Sequence, residues 1–316
     1  MVQRRIFFAS DVHASEKVYR KFLNAGKFYK ADLIVVGGDL TGKAVVPIIG
    51  RGNGLYEATV FGSQRFAKGD EQLNQLISDI RDIGSYPYVT DPEEIARLDS
   101  DEQRREELFE KLMVETIQRW VGLAEERLKE THIKCFLTPG NDDKFCIDPI
   151  LESSKYVLNP EGKVTEWYEH EIIATGYSAP SPWKCPRDVP EEELEKRIES
   201  MAHLVKNPER AIFCTHDPPL GTVLAQAPVL DKDLHPVMRG GQTELFDAGS
   251  VAVKHVIDRY QPMLALHGHI HESKGIAKVG RTICINPGSE YAEGILHGAI
   301  INLQDGKLKG YMLIQG

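Results

Sequence analysis

The chain has 316 residues, 41% of them hydrophobic and 27% charged, the usage of a globular protein with a sizeable core. With 38 basic residues against 47 acidic ones the net charge is −9, which argues against long nucleic acid as a partner. No apolar stretch reaches the roughly 18 residues of a membrane span; no leader of signal-peptide type is expected, and five scattered cysteines without a CxxC, of which Cys135, Cys214 and Cys284 read as core thiols, point to a reducing, cytoplasmic compartment.

The opening residues read strand, helix, strand: an apolar run Ile6-Phe7-Phe8-Ala9, a helical stretch over 16–29, and a second apolar run at 32–36. A detour over 43–131 follows. It begins with hairpin arms at 45–49 and 56–60 around a glycine-rich turn, then becomes polar and helical. Phe66, Leu73, Leu76, Ile77 and Ile80 follow helical spacing, and Leu108, Leu112, Ile117, Val121, Ala124 and Leu128 continue an apolar stripe. Thr90 with Glu93 and Ser100 with Gln103 have capping-box spacing. This block is expected to be an inserted, largely helical layer. Strands resume near Ile133. A hairpin is expected over 164–175, an acidic helix from Glu191, a strand from Ala211, a helix near Ser250 and a strand-rich run from 275 to 314.

Seven ligand-type side chains punctuate this pattern: Asp11, His13, Asp39, Asn141, His216, His269 and His271. Most follow a short apolar run, where a buried strand is expected to end. Oxygen and imidazole donors without thiolate suit Mn, Fe, Zn or similar divalent ions, and two such ions about 3.5–4 Å apart activate water and clamp phosphoryl oxygens. Asp39 follows Gly37-Gly38, where missing side chains permit close approach, and its carboxylate could bridge two ions.

The series Asp11-x-His13, Gly38-Asp39, Gly140-Asn141, Thr215-His216 and Gly268-His269-x-His271 resembles the calcineurin-like metallophosphoesterase superfamily, and Asn286-Pro287-Gly288-Ser289 is similar to a strand-end turn of many members. The resemblance covers residues 5–314. It implies an α/β fold of two packed mixed sheets flanked by helices, a four-layer sandwich in one domain over 1–316 with 43–131 inserted. It also implies two divalent ions (Mn, Fe, Zn or Mg), with Asp11, His13 and His271 at one, Asn141, His216 and His269 at the other, and Asp39 between. The implied activity is phosphoester hydrolysis by a bridging hydroxide on a small phosphorylated substrate. Self-association is left open.

One position departs from the pattern. Many members carry His after the motif Asn, where this chain has Asp142. An anion there is a poor acid at neutral pH and repels a dianionic monoester more than a monoanionic diester. The expectation is therefore a lean toward phosphodiester or nucleotide-like substrates, with catalytic roles for Asp39, Asn141 and Asp142. Trp183, Lys184 and Arg187 in a proline-broken loop, and Arg239 before Gly240-Gly241, are candidate substrate contacts, Trp183 and Arg239 foremost. His267 reads as structural or as support for a ligand, and Asp217 as an orienter of an imidazole or a turn starter. The rivals are a metal-binding scaffold without turnover, favoured by Asp142, and a nuclease or protein phosphatase of the same superfamily. The −9 balance disfavours the nuclease. Leu40-Thr41-Gly42-Lys43, which lacks an Arg-bearing motif after Asp39, disfavours the phosphatase.

Overall fold

Alternation along the first strands decides the layering. In Gln3–Ala9, Ile6 and Phe8 enter one buried cluster while Phe7 and Ala9 enter another, and Leu33/Val35 against Ile34/Val36 repeat this in Leu33–Val36. Strands buried on both faces need cover on both, so the sheet lies between a helical layer and a second sheet. The computed structural model describes residues 2–233 and 235–316.

The first six-stranded sheet runs Lys307–Gln315, His297–Gln304, Gln3–Ala9, Leu33–Val36, Lys134–Leu137, Val157–Leu158. The second runs Gly275–Val279, Thr282–Asn286, Leu264–Leu266, Ile212–Thr215, His170–Thr175, Val164–Trp167. Ile6, Phe8, Val35 and Phe136 of the first meet Ile172, Ile212, Leu264 and Ile285 of the second in a shared core. Outside the first sheet, Val18, Phe22 and Leu23 of helix Glu16–Phe28 cover Phe7 and Ile34. Outside the second, Leu194 and Ile198 of helix Glu191–Ala202 and Val253, Val256 and Ile257 of helix Val251–Tyr260 cover Ile173 and Phe213. This is the expected four-layer sandwich of two packed mixed sheets flanked by helices.

Register places the site. Gln3–Ala9, Leu33–Val36 and Lys134–Leu137 are parallel, with Ala9 opposite Val36 and Val36 opposite Leu137. Ile212–Thr215 is parallel to both His170–Thr175 and Leu264–Leu266, pairing Cys214 with Leu266. The carboxyl ends of both parallel sets therefore release their loops at one edge, the usual location of a site in such sheets.

The 43–131 block departs from expectation. Besides helices Gly69–Asp82, Pro92–Ser100 and Glu102–Leu128 it holds a four-stranded sheet in the order Ser63–Lys68, Leu55–Val60, Val45–Gly50, Tyr86–Thr90. Phe66 belongs to that sheet and is exposed, so it is not part of the helical stripe. Phe61 and Gly62 both take positive φ (48° and 73°), the two-residue turn that folds Ser63–Lys68 back in register. A phenylalanine at such a turn gives no ordinary turn signal. The helix caps sit one residue beyond expectation: Asp91 and Asp101, not Thr90 and Ser100, accept the amides of Glu94 and Arg104. The long helix is anchored by Trp120, stacked on Tyr19 with ring centroids 3.9 Å apart. Among the described residues no helix is long and apolar enough to cross a membrane.

Candidate metal centre

The loops leaving the strands are forced into uncommon conformations before any ligand is considered. Asp11, His13, Asp39 and His269 have positive φ (54°, 38°, 52° and 66°), a backbone region that L side chains enter only when surroundings compel it. The compulsion is visible in the hydrogen bonds: the amides of Asp11, His13 and Ala14 donate to the carbonyls of Gly38, Asp39 and Leu40, zipping two loops together. Glycine provides the clearance. A Cβ on Gly140 would lie 2.1 Å from Asp39 Oδ1, on Gly268 2.3 Å from Asp11 Oδ2, and on Gly38 2.1 Å from His216 Nδ1.

The seven predicted residues converge. Ligand atoms of Asp11, His13, Asp39 and His271 all lie within 4.8 Å of one another. His13 Nε2 lies 3.4 Å from Asp39 Oδ2 and 3.1 Å from His271 Nε2, and His271 Nε2 is 3.5 Å from Asp11 Oδ1. On the other side of Asp39, His216 Nε2 is 3.5 Å from Oδ1, while His269 Nδ1 and Asn141 Oδ1 are 3.1 Å apart. Asp39 thus lies between one group of Asp11, His13 and His271 and another of His216, His269 and Asn141.

The donor set fits divalent cations. His13 Nδ1 donates to the Thr41 carbonyl (3.2 Å) and His216 Nδ1 to the Gly37 carbonyl (3.1 Å), leaving each Nε2 free to ligate. His216 Nε2 is buried without a hydrogen-bond partner, and facing ring nitrogens at His13 and His271 call for positive charge between them. Burial lowers His13 and His269 to about 4, so both imidazoles are neutral at pH 7. Burial alone would lower His216 as well, yet Asp39 and Asp11 drive it up to about 10, and burial of Asp11 is outweighed by His271 and His216, which hold its carboxyl below the usual range. The carboxylates pull on a proton where a divalent cation would satisfy them better.

Supporting residues lock this arrangement, and sequence reasoning missed most of them. Asp143 accepts from the amides of Leu40 (2.9 Å), Thr41 (2.8 Å) and Gly140 (2.7 Å) and from Thr41 Oγ1 (2.6 Å), tying the Asp39 loop to the Asn141 loop. Asp188 accepts from Asn141 Nδ2 (3.0 Å), which turns Oδ1 of that amide toward His269, and is itself held by Ser181 and Cys185. The Asn286 turn is connected to both sides: Asn286 Nδ2 donates to the Gly268 and Ile270 carbonyls, and Ser289 Oγ to that of Asp11. A repeated Asp after Asn141 was the one available hint of Asp143; nothing local marks Asp188.

The remaining candidates separate. Asp142 sits beside the centre, with Oδ2 2.8 Å from Lys43 Nζ and 4.0 Å from His13 Nδ1, and with Oδ1 accepting from Cys185 Sγ at 2.8 Å. Burial disfavours the Lys43 ammonium, but Asp142 and Asp39 outweigh it and raise its pKa above the usual value. Tyr291 packs against His13 with ring centroids 4.6 Å apart. Arg187, read as a loop residue, is buried, its guanidinium donating to the Asp143 carbonyl and to Asp148 Oδ1. Arg239 lies on an exposed two-residue strand, paired with Glu244 at 3.3 Å. Trp183 is exposed and lines a cavity that His269 also lines. His267 is buried, with Nδ1 against the Thr215 and Asp217 carbonyls. The Asp217 carboxylate accepts the Ala179 amide, with no imidazole among its hydrogen-bond partners in the described residues.

No family model matches the chain. An uncharacterised protein of Methanocaldococcus jannaschii, MJ1162, is 29% identical over 177 residues, 55% of this chain and 70% of that one. One solved crystal structure aligns over 99% of both chains at 18% identity and TM-score 0.58. The structure of TT1561 of Thermus thermophilus aligns over 100% of this chain and 99% of its own at 16% identity and TM-score 0.55. At these identities the solved structures speak to fold alone. The layered sheets and the order of the seven site residues along the chain resemble those of the calcineurin-like metallophosphoesterase superfamily.

Proposed function

We propose that this chain is a metal-dependent phosphoesterase, one domain with 43–131 inserted, acting on a small phosphodiester or nucleotide-like substrate. The observation that carries the reading is the convergence of Asp11, His13, Asp39 and His271 donor atoms within 4.8 Å, with His216, His269 and Asn141 completing a second group around Asp39. Two divalent cations, when bound, supply Lewis-acid charge to phosphoryl oxygens and lower the pKa of a bound water. Mn, Fe, Zn and Mg all suit these donors. The chain's own part is to hold Asp39 between the two groups, to fix the imidazole tautomers through Thr41 and Gly37, and to orient Asn141 through Asp188.

The lean toward diesters is supported by Asp142. Where a histidine could deliver a proton to a departing alkoxide, this chain has a carboxylate committed to Lys43 and Cys185. A diester carries one negative charge fewer than a fully ionised monoester and is repelled less by Asp142. Hydrolysis of bis(p-nitrophenyl) phosphate and p-nitrophenyl phosphate with added manganese tests both parts. The diester is expected to turn over faster, and Asp39→Asn to cut that rate at least about a hundredfold while lowering bound metal measured by elemental analysis. An unchanged rate in Asp39→Asn would mean the activity comes from elsewhere; monoester turnover equal to or above diester turnover would remove the lean.

A further inference from the structure

Two cavities flank the metal-ligand histidines, and they differ in character. The one that includes His271, about 470 Å³, is polar, with Lys274, Ser289, Glu290 and Glu293 in its lining. The one that includes His269 is larger, about 1070 Å³, and its walls carry Trp183, Pro182, Pro228 and Phe246. Trp183 leaves 60% of its surface open and Phe246 47%. Exposed aromatics gathered in one concavity beside a reactive centre are characteristic of ligand sites. The acidic residues in this lining are Glu191, Asp217, which is buried, and Glu272, and among the described lining residues there is no lysine or arginine. Glu191 is moreover committed to capping helix Val251–Tyr260 through Ser250 Oγ and the amides of Val251 and Ala252.

We propose that this cavity receives an uncharged aromatic ester group of the phosphoester bound at the adjoining centre, a refinement that rests on the phosphoesterase reading above. His269 and Ile270 belong both to the loop that carries the candidate ligands and to the cavity lining, so a phosphoryl group bound at the adjoining centre would have this space beside it. The aromatic faces of Trp183 and Phe246 and the rings of the prolines offer stacking surface. With no lysine or arginine in the lining, nothing there would pair with a second phosphate, which favours a single phosphoryl group with a flat, neutral appendage. A nucleobase-like or other aryl group satisfies both conditions.

The manganese-loaded full-length chain permits a direct comparison. Inhibition of bis(p-nitrophenyl) phosphate hydrolysis by phenylphosphonate and by methylphosphonate isolates the ring, because the anionic ends are alike. Phenylphosphonate is expected to inhibit about tenfold more tightly, with most of that preference lost in Trp183→Ala and in Phe246→Ala. A second readout needs no metal. Trp120 and Trp167 are buried, so acrylamide quenching reports on Trp183, and benzyl alcohol is expected to protect it where methanol does not. Equal inhibition by the two phosphonates, an undiminished preference in both variants, or no protection by benzyl alcohol overturns the proposal. So does a wild-type dimer that becomes monomeric in both variants, since the cavity would then hold a second copy. Protection by benzyl alcohol alongside hydrolysis insensitive to Asp39→Asn would sink the phosphoesterase reading and leave the aromatic affinity standing as a separate fact.

Discussion

Asp143 offers the sharpest test of how the centre is held. Its two oxygens accept four hydrogen bonds, three of them from backbone amides at Leu40, Thr41 and Gly140. Replacing it with alanine leaves those three donors without an acceptor in a fully buried place, where each orphaned group costs about 1–3 kcal/mol. Allowing one donor to recover a partner through an admitted water, the loss is about 3–6 kcal/mol. That is a large share of the roughly 5–15 kcal/mol that separates folded from unfolded domains. Asp143→Asn keeps the volume and one acceptor oxygen, so about half the loss is expected. Urea unfolding without added metal, at pH 7, measures both. The m-value should be unchanged and the midpoints should fall in the order wild type, Asn, Ala. Because the same carboxylate joins the Asp39 and Asn141 loops, manganese affinity should fall in parallel. A loss below about 1 kcal/mol in Asp143→Ala, close to the range of an ordinary surface substitution, would refute the argument that this side chain clamps the loops.

Three further outcomes are expected. Asp188→Ala frees the Asn141 amide and should weaken metal binding about 10–100-fold in a chelator competition, with a smaller loss of stability than Asp143→Ala because the Ser181 and Cys185 amides it leaves are only part-buried; unchanged affinity would show that Asn141 is oriented by something else. Glu161 accepts from Thr175 Oγ1 and the Gly176 amide, and burial pushes its carboxyl up to about 7 from an ordinary 4.5. Since its folded pKa is the higher one, ionising it costs stability as pH rises from about 4.5 through 7, so wild type should lose about 1–2 kcal/mol relative to Glu161→Gln between pH 5 and 8, discounted for partial solvent access. A difference between the two proteins that stays constant over that range would rule this out. Trp120→Ala removes a fully buried ring stacked on Tyr19 and should cost about 3–5 kcal/mol by thermal or urea unfolding, loosening the 43–131 block from helix Glu16–Phe28. Retention of wild-type stability would mean that the long helix is anchored without this contact.

What was legible in the chain follows from local physics. Apolar runs such as Leu33–Val36 and Ile212–Thr215 read as buried strands, and a ligand-type residue just beyond each run must emerge at a strand end. The seven ligand-type residues and the strands they follow were readable for that reason, and periodicity marked helices such as Glu191–Ala202, whereas the pairing of two sheets was implied by the family resemblance and not by the runs themselves. Tertiary structure decided what depends on partners distant in sequence. The sheet inside 43–131 forms because Phe61 and Gly62 accept positive φ and because Tyr86–Thr90 pairs in parallel with Val45–Gly50 across the whole of 51–85, neither of which has a local signature. Arg187 looks like a loop cation and is a buried strut, Asp188 looks like a turn residue and orients Asn141, and Asp142 acquires Lys43 and Cys185 as neighbours only when three loops meet. Side-chain type and spacing specify which groups can do chemistry; the charges and hydrogen-bond partners that set their behaviour come from contacts over long chain separations, which only the folded chain makes.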